Sequence, residues 1–232
     1  MPSGGILFLA VPDGAVAGMA ARIATMCPPA GLSVVHLSGA LGLDALSPLR
    51  SVGSFHPLQS FPIPRPPSAF REITIAIDAT APALRRRLAS VARSLGARPK
   101  YVPDSERVRY HAAAVFASNF VNAAFAEGVR LLESLGWSEK ESVAALLPLL
   151  DGAVANIHSR GPVGALTGPI RRGDADTVRR HLEAVDNPDL YRMLGLVALE
   201  IAKKAGLDAA AAERTRRALT RDVAATRRRG RR

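Results

Sequence analysis

The sequence predicts an α/β domain built on a parallel sheet, followed by a domain that is entirely helical. Up to Pro103, short apolar runs alternate with helical stretches, and the first runs end in small or polar residues, as in nucleotide-binding α/β sheets. After Pro103 we find no strand-like run, and stretches of helical period follow. We therefore assign residues 1–103 to an α/β domain, residues 104–213 to an all-α domain and residues 214–232 to a basic tail.

Five short segments are expected to form the sheet. The first, residues 6–11 (ILFLAV), is continuously apolar, which favours a strand that is buried on both faces. The other strands are expected at residues 33–37, 51–56, 73–77 and 98–102. Two helices are expected between them, at residues 15–26 and 80–95.

The second domain should contain one long helix and several shorter ones. Residues 105–135 are predicted to form a helix roughly 45 Å long. Its apolar stripe needs a partner, so we expect a homodimer through this domain. Ser138 and Glu141 fit a capping box at the start of the next helix, which Pro148 and Gly152 should kink or divide. Residues 159–169 are expected to form a glycine-rich loop. Asp174 and Asn187 are expected to be the N-caps of two later helices.

The net charge of +11 is concentrated at the C-terminus. Nine of the 31 basic residues, but only one of the 20 acidic residues, lie in the tail 214–232. Such a tail could contact nucleic acid or an acidic membrane surface. We favour a solvated helix end and expect no nucleic-acid partner, because no aromatic residue interleaves the arginines to stack on bases.

The composition also argues against several kinds of site and location. Cys27, which we expect to be buried, is the single cysteine, so an internal disulfide and a cysteine-cluster metal site are excluded. The five histidines lack H-x-x-x-H and H-E-x-x-H spacings, so we predict no bound metal. The apolar run 6–11 is too short for a signal peptide or a membrane span. We therefore expect a soluble cytoplasmic protein with no membrane contact.

Five ordered motifs resemble a known family. They are residues 9–13 (LAVPD), 36–46 (HLSGALGLDAL), 53–61 (GSFHPLQSF), 110–120 (YHAAAVFASNF) and 165–174 (ALTGPIRRGD). In this order they resemble the Rossmann-like proteins that carry the domain of unknown function 2520 (DUF2520). That family is related to ketopantoate reductase, pyrroline-5-carboxylate reductase and the β-hydroxyacid dehydrogenases. The resemblance spans about residues 5–205.

The resemblance implies a two-domain reductase with a partial Rossmann-like domain for NAD or NADP and a dehydrogenase-like helical domain that forms a homodimer. No G-x-G-x-x-G phosphate turn occurs in the sequence. We expect the βα units that normally contain it to be missing before residue 6, through truncation or through loss of the cofactor. Two hypotheses follow. The first is an NAD(P)-dependent reductase of a small keto or imino acid. The alternative is a non-enzymatic dimerisation or binding module on a reductase scaffold.

Candidate cofactor-binding residues follow the first two predicted strands. In α/β sheets the carboxyl ends of the strands face the ligand cleft. Val11, Pro12 and Asp13 should therefore lie at one lip of the cleft, and Ser38 and Gly39 at another.

His56 and Gln59 follow the third predicted strand. Reduction of a ketone or imine needs a hydride and a proton, and histidine titrates near neutral pH. His56 is therefore our candidate proton donor, with Gln59 as a substrate contact. The alternative is a structural His56 that hydrogen-bonds a backbone carbonyl and locks the turn at Pro57.

A polar stripe interrupts the apolar surface of the long helix. His111 and Ser118 lie within about 20° of each other on the helix, Asn122 is close to that face, and Asn119 is one step round. In related reductases the corresponding helix faces the nicotinamide and the substrate. We place Ser118 and Asn119 with His56 in the catalytic set, and His111 and Asn122 among the substrate contacts. The alternative is that these side chains bond across a dimer interface.

Arg171 is the last candidate substrate contact. An arginine beside a glycine-rich turn could hold a substrate carboxylate through a bidentate contact. We favour the plainer alternative, in which Gly168 and Pro169 form a tight turn and the arginine is solvated.

Overall fold

The structure, a computed structural model, describes residues 4–220 of the chain. Its contacts divide the chain into two compact units between Asn122 and Ala123. The predicted tail 214–232 lies outside the described residues from residue 221 onward. Its first part, up to Thr220, is the end of a helix.

A five-stranded sheet organises the first unit. Its strands are β1 (Ile6–Leu9), β2 (Ser33–His36), β3 (Val52–Pro57), β4 (Thr74–Ala79) and β5 (Arg98–Tyr101), in that spatial order. All neighbouring pairs are parallel except β3 and β4, which are antiparallel. The predicted α/β class is confirmed, and the sheet is mostly parallel rather than wholly so. Residues 58–73, which connect β3 to β4, contain only a short 3₁₀ turn, and an antiparallel connection needs no crossover helix.

Two helices cover the sheet, one on each face. The neighbouring residues Val34 and Val35 of β2 point to opposite faces. Val34 packs in the apolar cluster that contains α1 (Asp13–Thr25), and Val35 in the cluster that contains α2 (Pro82–Ser94). The prediction of burial on both faces is wrong for β1: it pairs only with β2 among the described strands, and Phe8 is 36% exposed.

The predicted single helix at residues 105–135 is divided at Ser118. Helices α3 (Arg107–Ala117) and α4 (Asn119–Glu133) flank this residue, which has non-helical angles of φ −127° and ψ −73°. The carbonyl of Ser118 accepts the N–H of Asn122 at 3.1 Å, so Ser118 occupies the N-cap position of α4. A Ser-Asn pair inside an apolar stretch was the available sequence signal, since both residues are favoured at helix starts.

The remaining helices lie in the second unit. They are α5 (Glu139–Ala165), α6 (Gly168–Arg172), α7 (Ala175–Ala184), α8 (Pro188–Lys204) and α9 (Ala209–Thr220). Within residues 104–220 no strand is present, as predicted. The capping box is confirmed: the Ser138 hydroxyl accepts the N–H of Glu141, whose carboxylate accepts the N–H of Ser138. Asp174 and Asn187 also cap helices as predicted, at 3.0 and 3.2 Å from the N–H groups they accept.

The interruption of α5 lies later in the chain than we predicted. The helix continues through Pro148 and Gly152 and is broken at Gly161, where φ is 67°. Glycine adopts this left-handed conformation at little cost, and Pro162 disfavours a helical conformation at the residue before it. The predicted loop at residues 159–169 is therefore largely helical. Cys27 is exposed, which contradicts its expected burial.

One described helical segment has the length and composition of a membrane span. Asp104–Glu133 has a mean hydropathy of 1.2 over 18 residues, of which 6% are buried. Its exposed large apolar side chains are Val108, Phe116, Phe120 and Val121.

Candidate functional site

Predicted cofactor residues lie together at the carboxyl edge of the parallel strands. Asp13 begins α1 just after β1, and Ser38 follows β2. The Ser38 hydroxyl donates to the Asp13 carboxylate at 2.7 Å and accepts the N–H groups of Ala40 and Leu41 at 3.1 and 3.0 Å. This hydroxyl therefore connects the loops that follow two neighbouring strands.

Gly39 connects this edge to the histidines. A Cβ atom placed on Gly39 would lie 2.5 Å from Nδ1 of His111 and 2.8 Å from Nε2 of His56. No side chain can occupy this position without displacing an imidazole ring. Only glycine fits here, because the two imidazole rings approach its backbone closely. Gly39, predicted to bind cofactor, therefore adjoins His56, predicted to be catalytic.

His56 forms a compact group with two residues of α3. Its Nδ1 is 2.8 Å from the hydroxyl of Tyr110, and its ring centroid is 5.5 Å from that of Tyr110 and 5.9 Å from that of His111. Tyr110 was not among the predicted site residues. Its position next to His111 in the sequence does not indicate a role in the site, because its hydrogen-bond partner, His56, comes from β3.

Both members of the His56–Tyr110 pair are uncharged at neutral pH. Burial lowers the pKa of His56 to about 4, with further lowering by the nearby charges of His111, Arg107 and His36 and an opposing effect of Asp13. Burial raises the pKa of Tyr110 to about 12, opposed by Arg107. The expectation that His56 titrates near neutral pH is therefore wrong, because its ring is removed from water and faces positive charge.

A cleft of about 610 Å³ opens beside these rings. Six predicted site residues line it, together with Tyr110: His56, Gln59, His111, Ser118, Asn119 and Asn122. The helix break at Ser118 lies in its wall, and alanines of α3 form much of its apolar surface. The cleft thus offers imidazole, hydroxyl and amide groups on a small apolar background, as small-molecule sites commonly do.

Arg171 does not line this cleft. It lies in the second unit, where its guanidinium donates to the carbonyl of Ala205 at 2.9 Å. Ala205 is the C-cap residue that follows α8, so the arginine satisfies a carbonyl that the helix leaves free. The structure gives Arg171 a structural partner and does not bring it to the other candidates.

Arg107 is a buried residue of the site region that the sequence did not single out. Its side chain is 1% exposed, whereas that of Arg109, two residues later, is 86% exposed. Its guanidinium donates to the hydroxyl of Ser54 and to the carbonyl of Ser38, and its Nε lies 3.6 Å from the carboxylate of Asp104. Nothing in the local sequence separates the two arginines, because the acceptors come from β3 and from the loop after β2.

A metal site is not formed in the part of the chain that the structure describes. Residues 4–220 contain no group of three or more His, Cys, Asp or Glu side chains arranged to hold an ion.

Two family models match the chain. A Rossmann-like domain matches residues 3–62, and the domain of unknown function DUF2520 matches residues 73–201. No protein with a curated description matches the sequence.

Solved structures of similar proteins share this fold. The protein TM1727 of Thermotoga maritima is 25% identical, with a TM-score of 0.73 over 88% of this chain and 79% of that chain. BF3122 of Bacteroides fragilis, provisionally assigned as an NADP oxidoreductase, is 25% identical, with a TM-score of 0.67 over 87% and 77% of the two chains. A Plasmodium falciparum pyrroline carboxylate reductase with NADP bound is 12% identical, with a TM-score of 0.55 over 95% and 82%. The scaffold is thus of a general oxidoreductase type. With the DUF2520 match extending over more than half of its length, the chain belongs to the DUF2520 family.

Proposed function

We propose that this protein is an NAD(P)-dependent reductase of a small keto or imino acid. The observation that carries the proposal is the uncharged His56–Tyr110 pair in the wall of a cleft at the carboxyl edge of the parallel strands. In α/β folds this edge is where nucleotide cofactors and substrates bind. The provisional assignment of BF3122 as an NADP oxidoreductase supports the same class of reaction.

The described residues fit the nicotinamide end of such a cofactor better than its phosphates. The amide and hydroxyl groups of Gln59, Ser118 and Asn119 can pair with a carboxamide. The first turn of α1 carries the Asp13 carboxylate, which disfavours a phosphate at that helix start. We infer that Val11, Pro12, Asp13, Ser38 and Gly39 face the uncharged parts of the cofactor.

The mechanism assigns His56 and Tyr110 to the proton and the cofactor to the hydride. A bound nicotinamide supplies a hydride to the substrate carbon. When Nδ1 of His56 accepts from the Tyr110 hydroxyl, Nε2 carries a proton and can donate to the substrate oxygen or nitrogen. As negative charge develops there, the Nε2 proton moves to the substrate and the hydroxyl proton moves to Nδ1; return of the Nδ1 proton to the Tyr110 oxygen and uptake of a solvent proton at Nε2 restore the starting state.

Titration with NADPH and a reductase assay test this proposal. Binding is followed by nicotinamide fluorescence, and NADPH oxidation is measured with a panel of small keto and imino acids. We expect Tyr110→Phe to lower kcat/KM on the order of 10²-fold, the effect of losing a proton-transfer group. Tyr191→Phe is a matched control, because Tyr191 makes the same 2.8 Å bond to Nδ1 of His181 in the second unit, and it should leave kcat/KM unchanged.

Absence of NADPH binding and of substrate reduction, also in a version extended upstream by the βα units expected before residue 6, would reject the reductase. That result would favour the alternative, a binding module on a reductase scaffold. Equal losses in Tyr110→Phe and Tyr191→Phe would reject the assignment of the proton path to the cleft.

We also propose that the protein forms a homodimer through its helical part. Large apolar side chains of α5 and α8 are exposed, among them Leu149 at 71%, Ile157 at 52%, Met193 at 68% and Val197 at 62%. Patches of this kind mark protein interfaces. Light scattering should give twice the monomer mass, and Leu149→Asp with Ile157→Asp should give a monomer. A monomeric unmodified protein would contradict this proposal.

A cytoplasmic location is part of the same proposal. Its support is an exposed cysteine, Cys27, which is free and therefore suits a reducing compartment. Fractionation of cells that express the full chain would test it.

A further inference from the structure

We propose that Arg107 is the positioning residue of the cleft: by joining strand β3 and the loop after β2 to the first turn of α3, it sets the placement of Tyr110 and His111 against His56. The inference rests on the proposed function, since it concerns the same side chains. Its test uses the free protein and does not require that the protein be active.

The first support is the burial of the guanidinium and the origin of its partners. Arg107 is among the largest fully buried side chains of the described protein. It bonds Ser38, the residue before Gly39, and Ser54, which lies two residues before His56 on β3. A charge in this position is tolerated only with such partners, because desolvation is costly. One side chain therefore bonds both strand β3, which carries His56, and the loop that follows β2.

The second support is the spacing along α3. Tyr110 and His111 follow Arg107 by three and four residues, so the three side chains lie on one face of the helix. Ser54 and His56 are two residues apart and lie on one side of the sheet. The Arg107–Ser54 and Tyr110–His56 hydrogen bonds thus join the same face of α3 to the same side of β3. Displacing the first contact should displace the second.

The third support is electrostatic. After burial and His111, the positive charge of Arg107 is a further cause that lowers the pKa of His56. Arg107 also lowers the pKa of His36, for which burial is the main cause. The other charged or titratable groups that act on these imidazoles are Asp13, Asp104 and His111, and His36 also acts on His56. Arg107 therefore contributes to the neutral state of His56 as well as to its position.

Three variants separate position from charge. Arg107→Met removes the charge and keeps much of the volume. Arg107→Lys keeps the charge but replaces the planar fork that reaches two acceptors. Arg85→Met is the matched control: Arg85 belongs to the same unit, pairs with Asp78 at 3.3 Å and lies over Tyr101, and among the described residues its guanidinium hydrogen-bonds only Asp78 and the carbonyl of Ala79.

The readouts are the NMR titration of the His56 Cε1 proton and the Overhauser contact between the His56 and Tyr110 rings. We expect Arg107→Met to raise the proton affinity of His56 on the order of tenfold, as loss of one nearby charge does. Arg107→Lys should keep the proton affinity within about twofold and weaken the ring contact, since one acceptor loses its donor. Arg85→Met should change neither.

Two results would overturn the inference. One is a folded Arg107→Met in which His56 titrates as in the unmodified protein. The other applies if Arg107→Met does not fold: a folded Arg107→Lys with an undiminished contact between His56 and Tyr110. Absence of NADPH oxidation in the unmodified protein, with the expected NMR changes in the Arg107 variants, would count against the proposed function of the cleft and not against the placement by Arg107.

Discussion

His56 should make the folded protein less stable as the pH falls from 6.5 to 4. In the fold its pKa is about 4, against an ordinary value of 6.5. Between these two values the unfolded chain binds the proton and the folded protein does not, so the free energy of unfolding decreases as the pH falls. A difference of about 2.5 pKa units corresponds to about 3 kcal/mol. This contribution is complete above pH 6.5 and lost near pH 4.

Urea unfolding at several pH values between 7.5 and 4 measures this contribution. The comparison is with His56→Gln, which cannot be protonated in this range and retains a polar side chain. Subtracting the two curves removes the contribution of His36, whose pKa is also lowered by burial. On acidification from pH 7.5 to 4, the free energy of unfolding of His56→Gln should fall by about 3 kcal/mol less than that of the unmodified protein. His158→Gln, at an exposed position of α5, serves as the control and should follow the unmodified protein.

A constant difference between the unmodified protein and His56→Gln over the whole pH range would refute the reasoning. It would mean that the His56 imidazole titrates alike in the folded and unfolded chains. The same result would remove the argument that His56 acts as a neutral donor.

Three further substitutions test the close contacts of the structure. Gly39→Ala should displace the His56 ring, abolish most of the proposed reductase activity and lower the free energy of unfolding by about 1–3 kcal/mol. Asn187→Ala removes the cap on the Leu190 N–H and should cost about 1 kcal/mol in urea unfolding. Gly53→Ala places a Cβ 2.9 Å from a backbone carbonyl of β4, and should destabilise by at least about 1–3 kcal/mol because the paired strand cannot move away.

Gly14→Ala is the control for the two glycine substitutions. A Cβ at Gly14 meets no atom within 4 Å, and the residue lies inside α1, where alanine is favoured over glycine. We expect unchanged or slightly higher stability. Activity in Gly39→Ala equal to that in Gly14→Ala would contradict the tight fit of the imidazoles, and normal stability of Asn187→Ala would contradict the cap.

Local patterns were sufficient for much of the fold and for the general position of the site. Each of the five predicted strands overlaps an observed one, because short apolar runs between helix breakers favour strands. Caps such as Asn187 were predictable because donor and acceptor are three residues apart. Asp13 and Ser38 were expected at one edge of the sheet because parallel strands end there together, and they are hydrogen-bonded.

By itself the sequence determined the α/β and helical parts, the helix caps and the edge of the sheet at which to seek a cleft. Only the tertiary structure distinguished the buried Arg107 from the exposed Arg109 and paired Tyr110 with His56. These features depend on partners tens of residues away along the chain. They also depend on burial, which sets whether His56 is charged. A local pattern of residues encodes neither the distant partners nor the burial.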